Sequence, residues 1–347
     1  MLGFRSFTLM FVVAALVVSP TAAQDWSSVD YVKHSQYQAV DSDGSDAYDG
    51  GWPIRMVGVV LNDTEDWLNP APDFDSGYTP WYMGGEAEIF VQAVDLDGTG
   101  WDPFESEPFD DFGGTACWIG QNYGNHGMYG GDSDFSYTDA EWTAELGRLN
   151  FQGGDGVTDP IRAGDLVEVR ARAGLHYQGK MNVNEQHSKD PAKDFEVVRL
   201  VSGFGMPEAA ELTLADLKDG SDTFYFDQTR QTGGERYQST WIELKDLYLQ
   251  DGNWVAQDYV NFTDDDGRTI RVRLGYADGY DWGELGGQWS SLFGDDPVSV
   301  TGILNQADAA GTGGYYLLAL DPDHFVPEPL SMSLLAFGGT AVLLRRR

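Results

Sequence analysis

The chain has 347 residues, with 56 Asp and Glu against 21 Lys and Arg and a formal net charge of −35. That length suffices for two ordinary domains, and the charge repels phosphate backbones, so nucleic acid is disfavoured as a partner. Cys117 is the only cysteine, which excludes an intramolecular disulfide and leaves folding to core burial.

The first elements concern transport. Met1 to Arg5 forms a short n-region with one positive charge, Phe7 to Val18 an apolar core, and Thr21-Ala22-Ala23 a small-residue cleavage site before Gln24. This pattern predicts a signal peptide over 1–23, cut by signal peptidase between Ala23 and Gln24. Residues 24–50 follow as an acidic, poorly ordered lead-in.

Over 51–203, glycine and aspartate mark turns and alternating apolar residues mark strands. Strands are predicted at Ile54 to Leu61, Glu86 to Val94 and Thr115 to Gly120, with Cys117 as a small buried hydrophobe in the third. A helix is predicted at Asp139 to Leu149, because Thr138 and Glu141 form a capping box and Trp142, Leu146 and Leu149 recur on one face. Strands at Asp165 to Ala171 and Phe195 to Val201 close the set. Three strands, a helix and two strands is the element order of an OB-fold, a five-stranded partly open barrel.

Ser202 to Glu208, with Gly203, Gly205 and Pro207, reads as a linker into a second unit over 204–325. There a helical turn is expected at Leu212 to Leu217 and strands at Trp241 to Leu249, Tyr259 to Phe262 and Thr269 to Leu274. A short helix at Leu285 to Phe293 precedes strands at Val298 to Leu304 and Tyr315 to Leu320. The fold class expected is therefore mainly β, with two tandem OB-fold-like five-stranded barrels and short helices. Gly233-Gly234-Glu235-Arg236-Tyr237-Gln238 with Trp241-Ile242-Glu243-Leu244, and the run Gly179 to Ser188, resemble OB-like domains of secreted bacterial proteins, some extracellular nucleases among them.

Three constellations are candidates for binding. Asn184 to Asp190 is the densest polar cluster, in which Glu185 and His187 would point the same way on a strand as an acid–base or ligand pair; a polar turn is the competing reading. Asp95, Asp97 and Asp102 surround Gly98 and Gly100, and Asp41, Asp43 and Asp46 surround Gly44; both runs read first as solvated turns and second as a shallow calcium site, since Ser106 and Trp52 at the twelfth positions break the EF-hand pattern. Trp67, Trp81, Tyr82, Trp101, Tyr123 and Tyr129 lie in glycine-rich stretches, where exposed rings stack on sugars or bases; rings that fill the core or anchor loops are the competing reading. The absence of a basic stripe favours a neutral or calcium-bridged polysaccharide over oligonucleotide. No nucleophile elbow, metal-binding helix, phosphate loop or Cys-x-x-Cys pair occurs, so no cofactor beyond weakly held calcium and no catalytic residue is nominated.

The tail, 326–347, has three parts: Val326-Pro327-Glu328-Pro329, an uncharged apolar run from Leu330 to Leu344, and Arg345, Arg346 and Arg347. The prolines predict an extended segment open to a processing enzyme. The run predicts an anchor helix, short for a bilayer at roughly 22 Å, with the arginines kept inside. This order resembles the PEP-CTERM sorting signal of bacteria that make extracellular polysaccharide. The resemblance implies cleavage by an exosortase at or near Pro327-Glu328-Pro329 and delivery to the cell surface or matrix. The function expected is a non-enzymatic surface or biofilm-matrix protein that binds glycan. An oligonucleotide-binding or nuclease-accessory protein and a polysaccharide hydrolase are the alternatives, the latter because glycosidase carboxylates need not be adjacent in sequence.

Overall fold

The computed structural model describes residues 24–69, 85–104, 108–121, 137–186, 188–276 and 280–328. The leader through Ala23, the apolar run from Leu330 and the terminal arginines lie outside them. Among the described residues no helix is long and apolar enough to cross a membrane.

The fold is mainly β, an open sheet followed by a closed five-stranded barrel. The first half holds β1 (Ile54–Val60), β2 (Leu68–Asn69), β3 (Glu86–Gln92), β4 (Gly114–Gly120), β5 (Leu166–Ala171), β6 (Gly174–Tyr177), β7 (Lys180–Asn184) and β8 (Phe195–Val201), with α1 (His34–Tyr37) and α2 (Asp139–Arg148). Neighbours run β6-β7-β4-β3-β1-β5-β8, with β2 beside β3. Only β4 and β7 pair in parallel. The second half holds β9 (Ala210–Leu212), β10 (Thr240–Gly252), β11 (Tyr259–Thr263), β12 (Thr269–Leu274), β13 (Val298–Gln306), β14 (Tyr315–Ala319) and β15 (Phe325–Pro327), with α3 (Leu214–Leu217), α4 (Gly233–Arg236) and α5 (Trp282–Leu292). Here β10-β11-β12-β14-β13 closes on itself through the β13–β10 pairing, and β12 and β14 are parallel.

Both halves repeat one connectivity: three antiparallel strands, a helix, a fourth strand against the first, and a fifth parallel to the third. They differ in closure. In the second half the fourth and fifth strands pair, Ile303 with Leu318 and Leu304 with Leu317. In the first half β6 covers the free edge of β7, and β8 covers that of β5. The expected first barrel is thus an open sheet. Phe195 to Val201, read as its fifth strand, lies outside β5, and β7 holds the place parallel to the third strand.

The stretch 24–50, expected to be poorly ordered, is folded against the first sheet. Tyr37 and Val40 are buried, and Tyr37 donates to the Asn182 carbonyl at 2.8 Å. The Gln38 amide bonds the Met181 backbone in both directions, at 2.6 and 3.1 Å, just before the pairing of β7 with β4 begins at Asn182. Gly44, at φ 78°, meets the backbone of Gly311 in the second half so closely that a Cβ would lie 2.3 Å from its carbonyl oxygen.

Each half has its own core. Ile54, Met56, Ile89, Val91, Cys117, Ile119, Trp142 and Phe195 share the first; Ile242, Phe262, Trp282, Trp289 and Phe325 share the second. A third apolar cluster joins the halves, with Leu61, Trp67, Phe90 and Ala116 against Ile303, Tyr316, Leu318 and Leu320. The outer face of β3 and β4 is therefore buried on the second half. Polar links reinforce it: Lys180 Nζ donates to the Gln306 carbonyl at 2.8 Å, the Trp241 amide to Gln92 Oε1 at 2.8 Å, and the Arg273 guanidinium lies 4.6 Å from the Trp67 ring centroid.

Candidate functional site

The capping box orients α2: Thr138 Oγ1 accepts from the Glu141 amide at 3.3 Å, and Glu141 Oε2 accepts from the Thr138 amide at 2.7 Å. Trp142, Leu146 and Leu149 then fall on the buried face. Glu141, Ala144, Glu145 and Arg148, three and four apart, line the other. Opposite them stand Ser188, Lys189 and Asp190 of the β7–β8 connection, with Tyr137 at one end. The groove between measures about 740 Å3 and is open to solvent.

Glu185 lies beneath this groove, immediately after β7 and 5% exposed. Tyr137 Oη donates to its Oε2 at 2.5 Å, and Arg148 approaches its Oε1 at 3.6 Å. Arg148 is ion-paired to Glu145, lies 3.7 Å from Asp194, and donates to the Phe195 carbonyl at 2.6 Å. Burial, then the Glu145 carboxylate, hold the Glu185 pKa well above the ordinary carboxyl value, while Tyr137 and Arg148 pull the other way. Burial also raises Asp194. Burial opposes the charge on Arg148, but Glu145, Asp194 and Glu185 outweigh it and raise its pKa.

Glu185 Oε1 is buried with no hydrogen-bond donor. Glu145, itself ion-paired to Arg148, adds its charge to burial in favouring the protonated form of Glu185. Tyr137, its pKa raised by burial and then by Glu185, is held as a donor and is not a base. The groove presents one aromatic ring, both signs of charge, and the hydroxyl and backbone groups of a turn. Lys189 bridges the groove to Glu141 at 3.1 Å, its ammonium 6.0 Å from the Tyr137 ring centroid.

Among the described residues nominated from sequence, Glu185 alone belongs to this site, and as a buried partner rather than part of a solvated turn. His187, Trp81, Tyr82, Tyr123 and Tyr129 lie outside the described residues, and Trp67 is buried between the halves rather than exposed to a ligand. Trp101 is 43% exposed in a separate turn, its amide bonded to Thr99 Oγ1 at 3.1 Å. Asp95 accepts from the Asp97 amide at 2.9 Å and Asp102 from the Phe104 amide at 2.7 Å, so both act as turn formers. The neighbouring Asp95 charge, foremost, raises the Asp97 pKa. Among the described residues no group of three or more His, Cys, Asp or Glu is placed to hold a metal ion. Gln24 is exposed. Pro327 ends β15 and Glu328 follows it, whereas Ala23, Pro329, Arg345, Arg346 and Arg347 lie outside the described residues.

Sequence reasoning missed Tyr137, Glu145, Arg148 and Lys189. The polar face of α2 was a usable signal, since Glu141, Glu145 and Arg148 follow helical spacing; nothing local linked that face to Glu185. No protein-family model matches the chain, and no curated protein matches it.

Proposed function

We propose that this is an exported, non-enzymatic surface or extracellular-matrix protein of two OB-fold-like units, which takes a glycan in the groove beside α2. The leader and the three-part tail support export and processing by an exosortase-type enzyme at Pro327-Glu328-Pro329. The shared strand order supports the OB-like reading for both units, one closed and one open. Such barrels use the face of their second and third strands for oligonucleotides and oligosaccharides, and here Phe90 and Ala116 of that face are buried between the halves. That face of the first unit is thereby closed to a ligand.

The observation that carries the binding reading is the groove itself, of a size and polarity that suit a sugar. The net charge of −35 weighs against the oligonucleotide alternative. The test is glycan-array binding by residues 24–328, with and without millimolar calcium, and single-stranded DNA as a parallel probe. Saturable glycan binding lost in Lys189→Ala and kept in Trp101→Ala is expected. Loss in Trp101→Ala alone moves the ligand to another surface, and salt-dependent DNA binding replaces this reading with the oligonucleotide one.

A further inference from the structure

The stretch Phe325 to Glu328 is part of the folded barrel. Phe325, Val326 and Pro327 pair antiparallel with Val300, Ser299 and Val298. Phe325 is 4% exposed, and its ring lies 5.7 to 6.3 Å from those of Trp254, Phe262, Trp282 and Trp289. Glu328 is held at three points. Its carboxylate accepts from Ser299 Oγ at 2.6 Å and from the Asp246 amide at 3.2 Å, and its own amide donates to the Pro297 carbonyl at 3.2 Å.

We infer that β15 and Glu328 form a latch that withholds the processing motif from its enzyme until residues 326–328 lift off β13. The inference rests on the sorting reading proposed above. An enzyme that cuts a chain in extended form needs the backbone and side-chain groups of several consecutive residues. Here the backbone groups are engaged by β13, and the motif's only charged side chain by Ser299 and Asp246. The latch is weak enough to open. Pro327 has no amide to donate, Val326 is 47% exposed, and of residues 325–328 only Phe325, which stays in place, belongs to the buried core cluster. Phe325 remains in the aromatic cluster and serves as the hinge, so the barrel stays closed while the motif is presented.

The test uses the full chain in cells that contain the processing enzyme, with precursor-to-product conversion followed by pulse-chase, and hydrogen exchange on the purified chain. Ser299→Ala lies outside the motif and removes a hydrogen bond to a charged group. It is expected to raise both the conversion rate and the exchange rate at Glu328 about tenfold. Ser299→Thr, which keeps the hydroxyl, should leave both near wild type, and a cooperative thermal melt establishes that each variant folds. If Ser299→Ala does not fold, Val326→Gly, which loosens the exposed strand, takes its place with the same expectation. Faster exchange with unchanged conversion overturns the latch while leaving the sorting reading intact, as does unprotected exchange at Val326 and Glu328 in the wild type. Conversion that survives joint replacement of Pro327, Glu328 and Pro329 by alanine overturns the sorting reading and the latch with it.

Discussion

Glu88 offers the sharpest test of the interface between the halves. It lies on β3, 8% exposed, on the face that meets the second half. Burial pushes its pKa from 4.5 up to about 7, and the Lys180 and Arg273 charges only partly offset this. Below pH 4.5 the carboxyl is protonated folded and unfolded. Between pH 4.5 and 7 the folded chain holds a proton that the unfolded chain releases, so stability falls as pH rises through this window and levels off above it. A shift from 4.5 to about 7 corresponds to about 3 kcal/mol at roughly 1.4 kcal/mol per unit. Glu88→Gln mimics the neutral acid at every pH. Denaturant melts of both proteins from pH 4 to 8 should give equal stability at pH 4 and a variant more stable by about 3 kcal/mol at pH 8. The difference between the two proteins cancels all other titrating groups. A flat difference, or a variant weaker at pH 8, would refute the argument and make Glu88 an ionised partner of Lys180.

Other substitutions probe the groove and the contacts around it. Glu145→Gln and Glu185→Gln should each flatten the loss of stability at rising pH, because each removes the same carboxylate repulsion; the double variant should gain less than the sum, and additive melts would separate the two groups. Trp142→Ala should destabilise by about 3 to 5 kcal/mol in denaturant melts and abolish groove binding, since the ring anchors α2 in the core. Gly44→Ala should destabilise by about 2 kcal/mol or more through its positive φ and the approach of Gly311, and a thermal midpoint equal to wild type would refute that close contact.

Strands were legible where one face is buried and the other solvated or half-buried. Ile54 and Met56 alternate with Arg55 and Val57 in β1, and Ile270 and Val272 with Arg271 and Arg273 in β12. The hairpin β6–β7 was not, because its polar residues are buried too. Lys180, Asn182 and Asn184 are all under 9% exposed, although their alternation with Met181 and Val183 reads as an ordinary solvated face. The turn itself carried a signal. Gln178 and Gly179 both have positive φ, at 50° and 90°, as a two-residue hairpin turn needs. The groove was beyond reach for a different reason: Tyr137 and Glu185 are 48 residues apart in sequence, and their contact exists only once β7 takes its place beside β4.

Packing the halves together also determines what the chain's acidity can do. A barrel face that binds a polyanion must be open and basic. Here Arg273 is drawn over Trp67, Lys180 is spent on the Gln306 carbonyl, and Arg230, 2% exposed, donates to the Ser35 carbonyl at 2.9 Å. These cations hold one half to the other, which removes them from the surface and leaves the acids outside. The same partition bears on the proposed binding groove through Lys189 and Arg148. Each already faces a carboxylate, so a ligand that enters must exchange hydrogen bonds with paired charges and gains nothing from a net negative charge of its own. The glycan proposed for this groove, neutral and hydroxylated, meets that condition.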